Sequence, residues 1–113
     1  MNIKKAIVIP DCQVPYHDEV ALKAVEKYMA STKWDYYINL GDFMDYYTIS
    51  RFNAEKPGLI EGKTIIDECN QGEVILDNHM KILRRKNKDV KAYYLEGNHE
   101  YRATDFAERY PHL

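Results

Sequence analysis

The stretch Ile38-Asn39-Leu40-Gly41-Asp42-Phe43-Met44-Asp45 decides how this chain is read. An apolar run ends in glycine, an aspartate follows at once, and a second aspartate comes three residues later. Two junctions of the same kind flank it. Ile7-Val8-Ile9-Pro10-Asp11-Cys12-Gln13 comes before, and Tyr93-Tyr94-Leu95-Glu96-Gly97-Asn98-His99-Glu100 comes after. Each is a hydrophobic run that stops and delivers Asp, Asn or His at its C-terminal end. Short apolar runs of this type are the signature of parallel strands.

Working outward, residues 3–10 predict a strand buried on both faces, since Ile3, Ala6, Ile7, Val8 and Ile9 are apolar and Pro10 ends the run. Residues 11–17 form a loop containing Pro15. Asp18 is placed to cap a helix over 19–31, with Glu19 in its first turn and Ala21, Ala24, Val25 and Tyr28 as its apolar stripe. Residues 34–40 are the second strand. Strand, helix, strand implies a right-handed crossover and parallel neighbours. Residues 44–53 predict a short helix, and Asn53 to Gly62, with Pro57 and Gly58, a loop. Residues 64–86 predict a helix whose stripe is Ile65, Cys69, Leu76, Met80 and Leu83, with Gly72 on it as a close-contact point. Lys81, Arg84, Arg85 and Lys86 suit the negative end of its dipole. Residues 90–96 are the third strand. A last helix starts at His99 or Glu100 and runs towards Arg109, before Pro111. The order β-α-β-α-α-β-α is an α/β domain, three mostly parallel strands with flanking helices, and residues 1–113 form a single domain.

The 113 residues carry 16 basic and 18 acidic side chains, a net charge of −2. That balance argues against bulk nucleic-acid or anionic-membrane binding as the main task. No apolar run is long enough to span a membrane or act as a signal peptide. The two cysteines, Cys12 and Cys69, have no zinc-type spacing. A cytoplasmic protein with reduced thiols is expected.

In open α/β sheets ligands bind beyond the C-terminal ends of the strands. Parallel strands carry Asp11, Asp42 and Asn98 to one edge. Two carboxylates, an amide and a histidine gathered there are costly unless a positive charge neutralises them. Hard divalent cations take such donors.

These residues resemble the first three motifs of the calcineurin-like metallophosphoesterases: Asp11-Cys12-Gln13, then Gly41-Asp42-Phe43-Met44-Asp45, then Gly97-Asn98-His99-Glu100. Residues 11–18, ending Pro15-Tyr16-His17-Asp18, are similar to phage and bacterial members. The resemblance implies two divalent metal ions, Mn²⁺ first, with Fe, Zn, Ni or Mg as alternatives. It implies that Asp11 ligates the first metal, Asp42 bridges both, and Asn98 ligates the second and holds a phosphate oxygen. His99 would be the general acid at the leaving group, and Asp45 would orient His99. The substrate would be a phosphoester.

Two departures qualify this. The family has His where this chain has Gln13, whose carbonyl oxygen is a weaker ligand than imidazole; His17 could substitute if the Pro15 loop folds it back. The family's later histidine motifs are missing. His112 lies beyond Pro111 and does not match them, and His79 lies mid-helix. The chain therefore resembles the N-terminal half of the domain. The family packs two sheets face to face, so half of it would leave one sheet face bare, to be covered by a homodimer partner or by a missing C-terminal half.

Plainer readings stand beside these. An Asp after a strand is often a turn residue or helix cap, and Asn98-His99 could simply turn into a helix. His17 and His79 read as ordinary polar side chains, Cys12 and Cys69 as small buried hydrophobes, and the basic run from Lys81 to Lys91 as a solvated helix end. No Gly-rich phosphate loop is present. Three functions remain open: a metal-dependent phosphoester hydrolase, an inactive or metal-binding half-domain acting as an interaction module, and a DNA-processing nuclease. Nucleic acid as a partner has no support from charge.

Overall fold

A computed structural model describes residues 2–50 and 64–111. The chain runs β1 (Ala6–Ile9), α1 (Glu19–Ala30), β2 (Tyr36–Asn39), a 3-10 turn (Tyr47–Ile49), α2 (Ile65–Arg84), β3 (Lys91–Tyr94) and α3 (Asn98–Arg109). The strands form one open sheet in the order β1-β2-β3, and both pairings are parallel. This is the expected α/β arrangement. The loop expected over Asn53 to Gly62, and His112, lie outside the described residues. Of the short helix expected over 44–53, only the 3-10 turn at Tyr47–Ile49 is present, and residues 51–53 again lie outside. No helix among the described residues is long and apolar enough to cross a membrane.

Local chemistry explains the helix starts. The Asp18 carboxylate accepts the Ala21 N–H at 3.0 Å, and the Thr64 hydroxyl accepts the Asp67 N–H at 3.1 Å. These bonds satisfy amides that have no partner inside the helix. Lys81 and Arg84 occupy the last turn of α2.

Three further expectations need correction. The first strand is not buried on both faces. In β1, Ile7 and Ile9 are buried while Ala6 and Val8 are exposed, and β3 is exposed along its length. The strand order supplies the reason. Successive right-handed crossovers that step in one direction place both crossover helices, α1 and α2, on the same face. The other face keeps Val8 at 48% and Tyr93 at 51% exposure.

Second, the helix stripes agree with the expected ones only in part, at Val25, Leu76, Met80 and Leu83, which pack on the core. On α1 the buried residue is Met29, while Ala21, Ala24 and Tyr28 are exposed and line a groove beside β1. On α2 the buried line is Glu68, Gly72, His79, Ile82 and Leu83, and Cys69 is exposed rather than buried. The main core beneath the sheet joins Ile7, Ile9, Met29, Trp34, Tyr37, Ile82 and Leu83. Gly72 is the close contact its position suggested: a Cβ there would collide with the Met44 sulfur. That contact seats α2 on a second small core of Val14, Phe43 and Met44.

Third, His79, expected to be an ordinary polar side chain, is part of the core. It is fully buried. Its Nδ1 lies 2.8 Å from the Tyr37 hydroxyl, and its Nε2 lies 2.9 Å from Glu26 Oε2. One arrangement satisfies both contacts with a neutral ring: the Tyr37 O–H donates to Nδ1, and Nε2–H donates to Glu26. A strand and two helices are thereby tied through one imidazole. Burial lowers the His79 pKa from its ordinary 6.5, and the Glu26 carboxylate opposes this without reversing it. Burial also pushes the Tyr37 phenol up to about 12.

The lowered pKa fixes the sign of a pH effect. Below 6.5 the unfolded chain takes up a proton that the folded ring resists, so stability is present above that pH and declines as pH falls towards the folded value. Urea unfolding at about pH 7.5 and about pH 5.5 is expected to show lower stability in acid. In His79→Gln that difference shrinks, while overall stability drops by about 1–3 kcal/mol from the disturbed buried bonds. An unchanged pH difference in the variant would remove His79 as its source.

Candidate metal centre

The three strands end at one edge, and their loops do not splay apart. The first and second loops continue the parallel ladder past the strands. Asp11 N–H donates to Gly41 O at 3.1 Å, Gln13 N–H to Asp42 O at 2.8 Å, Val14 N–H to Phe43 O at 2.6 Å, and Asp45 N–H to Val14 O at 2.9 Å. Along these two loops the backbone is left-handed at Asp11 (φ 55°), Gln13 (φ 54°), Asp42 (φ 49°) and Tyr46 (φ 54°). Each such residue costs of order 1 kcal/mol, and such strain concentrates where a loop must present particular side chains.

The second and third loops meet through two glycines. A Cβ on Gly41 would lie 2.6 Å from Gly97 N and 2.7 Å from Leu95 O. A Cβ on Gly97 would lie 2.5 Å from Asp42 Oδ1 and 2.8 Å from its Cγ. Without side chains at either place, the Asp42 carboxylate reaches the first turn of α3, where its Oδ1 accepts the His99 N–H at 2.8 Å. A carboxylate at a helix N-terminus is favoured by both the free amide and the dipole.

The structure thus brings Asp42 to His99, and Asp45 to the same helix. His99 Nδ1 is 3.2 Å from the Asp45 carbonyl and 3.4 Å from its carboxylate. Asp45 is 7% exposed, and Arg102 Nη1 donates to its carbonyl at 2.8 Å and to Oδ1 at 3.3 Å. Asp11 is exposed, and its Oδ1 accepts the Gln13 amide N–H at 2.6 Å. Asn98 is exposed as the first residue of α3. His17 lines the groove between β1 and α1 together with Asp11, and its Nδ1 is buried without a hydrogen-bond partner among the described residues.

The donor chemistry fits a hard divalent cation: two carboxylates, Asp11 and Asp42, with the amides of Gln13 and Asn98, on loops joined edge to edge. With its nitrogen on Asp11, the Gln13 amide has its carbonyl oxygen left to offer. Among the described residues, no group of three or more His, Cys, Asp and Glu side chains is arranged to hold a metal ion.

Sequence reasoning missed two residues here. Arg102 anchors Asp45, and only the three-residue helical spacing from His99 hints at it. Glu100 accepts from Asp42 N–H, Gly97 N–H, Met44 N–H and the Tyr94 hydroxyl. Its signal was the capping spacing Gly97-x-x-Glu100. Burial pushes the Glu100 carboxyl up, but these four bonds outweigh it and hold it below 4.5. Burial, and then the bond to Glu100, raise the Tyr94 phenol.

With this geometry in view, the chain can be set beside known proteins. It is similar to the Gene 54 protein of Mycobacterium phage L5, 28% identical over 109 residues, which is 95% of this chain and 40% of that protein. It is also similar to the Gene 54 protein of Mycobacterium phage D29, 41% identical over 49 residues, 43% of this chain and 19% of that protein. The chain therefore spans well under half the length of these relatives. No family model matches it, and no solved structure does.

Gly97→Ala tests the contact on which the site depends. Gly97 has an ordinary φ of −98°, so the effect is steric alone. The added methyl meets the Asp42 carboxylate, and thermal or urea unfolding is expected to record a loss of about 1–3 kcal/mol. A variant as stable as the wild type would mean that the loops are not packed this closely.

Proposed function

We propose that this protein is a metal-dependent phosphoester hydrolase of the calcineurin-like type, and that residues 1–113 correspond to the N-terminal half of that domain. One observation carries the reading. Two stretches more than fifty residues apart meet so that Asp42 is bonded to the His99 amide while the His99 ring faces Asp45. A turn residue or a helix cap alone would require neither the second aspartate nor the imidazole.

In this reading Asp11, Gln13, Asp42 and Asn98 would hold the metal, two ions by the resemblance, Mn²⁺ first. Bound there, divalent cations would supply charge that neutralises phosphoryl oxygens and lowers the pKa of the attacking water. The chain's own groups do the rest. Asn98, at the amino end of α3, lies where the helix dipole favours an anion. His99 has Nδ1 turned to the Asp45 carbonyl and carboxylate, which fixes the tautomer and leaves Nε2 to pass a proton to the leaving oxygen. Arg102 keeps Asp45 in that position. Cys12 and Cys69 are free thiols, in keeping with a reducing cytoplasm.

A second reading, a metal-binding half-domain without turnover, is favoured by one specific feature. Gln13 stands where the family has an imidazole, and it is hydrogen-bonded to Asp11. The nuclease reading has only kinship behind it, since the net charge is −2. The bare sheet face, with Val8, Leu40 and Tyr93 about half exposed, is proposed to be covered in the working protein by a second copy or by further chain.

Hydrolysis of an activated phosphodiester with added Mn²⁺ is expected in the wild type. It should fall roughly a hundredfold or more in Asp42→Ala and in His99→Ala. No turnover, or turnover that ignores both changes, removes the hydrolase reading. Mn²⁺ bound by the wild type, lost in Asp42→Ala, and never accompanied by turnover would support the half-domain instead. Light scattering on the eluted protein is expected to give a mass above that of one chain; a clean monomer would mean that no second copy covers the sheet.

A further inference from the structure

Glu100 makes more bonds than its own helix needs. As the third residue of α3, it caps the helix by accepting the Gly97 N–H at 2.9 Å. The same oxygen also accepts the Asp42 N–H at 2.6 Å. Its other oxygen accepts the Met44 N–H at 2.8 Å and the Tyr94 O–H at 2.6 Å. One carboxylate therefore joins β3, the loop after β2 and the start of α3.

The exchange is reciprocal. A capping box needs an N-cap side chain to bond an amide of the first turn, and Gly97 has none. Asp42 supplies that bond across the loops, to the His99 amide. So α3 is capped by Asp42, and Asp42 is held by α3 through Glu100, 58 residues away in sequence. Between the two loop amides that Glu100 holds, those of Asp42 and Met44, lies Phe43, fully buried, so the loop is pinned on both sides of its apolar anchor. The left-handed turn at Asp42 (φ 49°) is kept in place by these contacts.

We infer that Glu100 is the positioning residue of the site, setting where the Asp42 carboxylate stands relative to Asn98 and His99. An ionised carboxylate offers about four lone-pair sites, and all four contacts are made within the protein. Glu100 therefore does not ligate a cation, although it lies beside residues read as ligands. The consequence for metal affinity rests on the reading of Asp42 and Asn98 as metal ligands; the clasp itself does not.

The test uses the full chain as wild type, Glu100→Gln and Tyr94→Phe, with two measurements. Amide hydrogen exchange by NMR follows Asp42, Met44 and Gly97, and calorimetric titration follows Mn²⁺. Glutamine can still accept at one atom, but its NH₂ cannot accept from Met44. Met44 exchange is expected to rise roughly tenfold or more in Glu100→Gln, and Mn²⁺ affinity to fall about tenfold to a hundredfold, as is usual when an outer partner of a ligand is lost. Tyr94→Phe removes one neutral donor, leaves the three amides protected, and changes affinity only slightly. Met44 exchange unchanged in Glu100→Gln would overturn the inference, as would Mn²⁺ affinity unchanged while exchange rises. If Glu100→Gln does not fold, the wild-type amides decide: Asp42 and Met44 exchanging as fast as exposed amides would overturn the clasp. A wild type that binds no Mn²⁺ removes the metal reading alone, and the exchange measurement still judges Glu100.

Discussion

The contact between the Asp42 carboxylate and the first turn of α3 is the constraint on which the rest of the strand-tip edge depends. It is a charged acceptor on a free helix amide, strengthened by the helix dipole. It forms only because Gly41 and Gly97 leave no atoms between the two loops. Once it is made, the placement of the neighbouring groups follows. Asn98 and His99 take fixed positions at the helix start, the His99 ring meets Asp45, and Arg102, one turn further along, donates to the same Asp45 carbonyl. Backbone strain at Asp11, Gln13, Asp42 and Tyr46 is sustained by this mutual bracing rather than by any local preference.

The one-sided sheet is a consequence of chirality and order. Right-handed crossovers that step from β1 to β2 to β3 leave α1 and α2 on a single face, and among the described residues no reversal of strand order sends a crossover helix to the other. The bare face and the site edge therefore have a common origin. The topology that points three C-terminal ends the same way also withholds cover from half of the sheet. The apolar residues of β1 read as a doubly covered strand because composition alone does not distinguish a covered face from one awaiting cover.

The buried polar groups have a different logic. His79 lies in the core because α1 and the sheet each bring one partner to it, Glu26 on one side and Tyr37 on the other. Nothing local to α2 reveals this, since the partners are 53 and 42 residues away. The same limit hid Glu100 and Arg102. Each is an unremarkable charged residue on a helix, and each acquires its role from backbone atoms of a loop more than fifty residues earlier.

The sequence by itself determined the three strands, the three main helices, their order and the parallel sense of the sheet, though not the 3-10 turn at Tyr47–Ile49. Hydrophobic runs, caps and turn residues act over a few positions and can be read there. It also marked Asp11, Asp42, Asn98 and His99 as gathered at one edge, because the parallel order alone demands it. Tertiary structure decided which face of each helix is buried, which side of the sheet is left open, and which carboxylate is spent inside the protein rather than offered at its edge. These outcomes turn on distances between stretches far apart in the chain. A Cβ missing at Gly97 or a carboxylate arriving at Met44 has no meaning until the fold has placed its counterpart within reach.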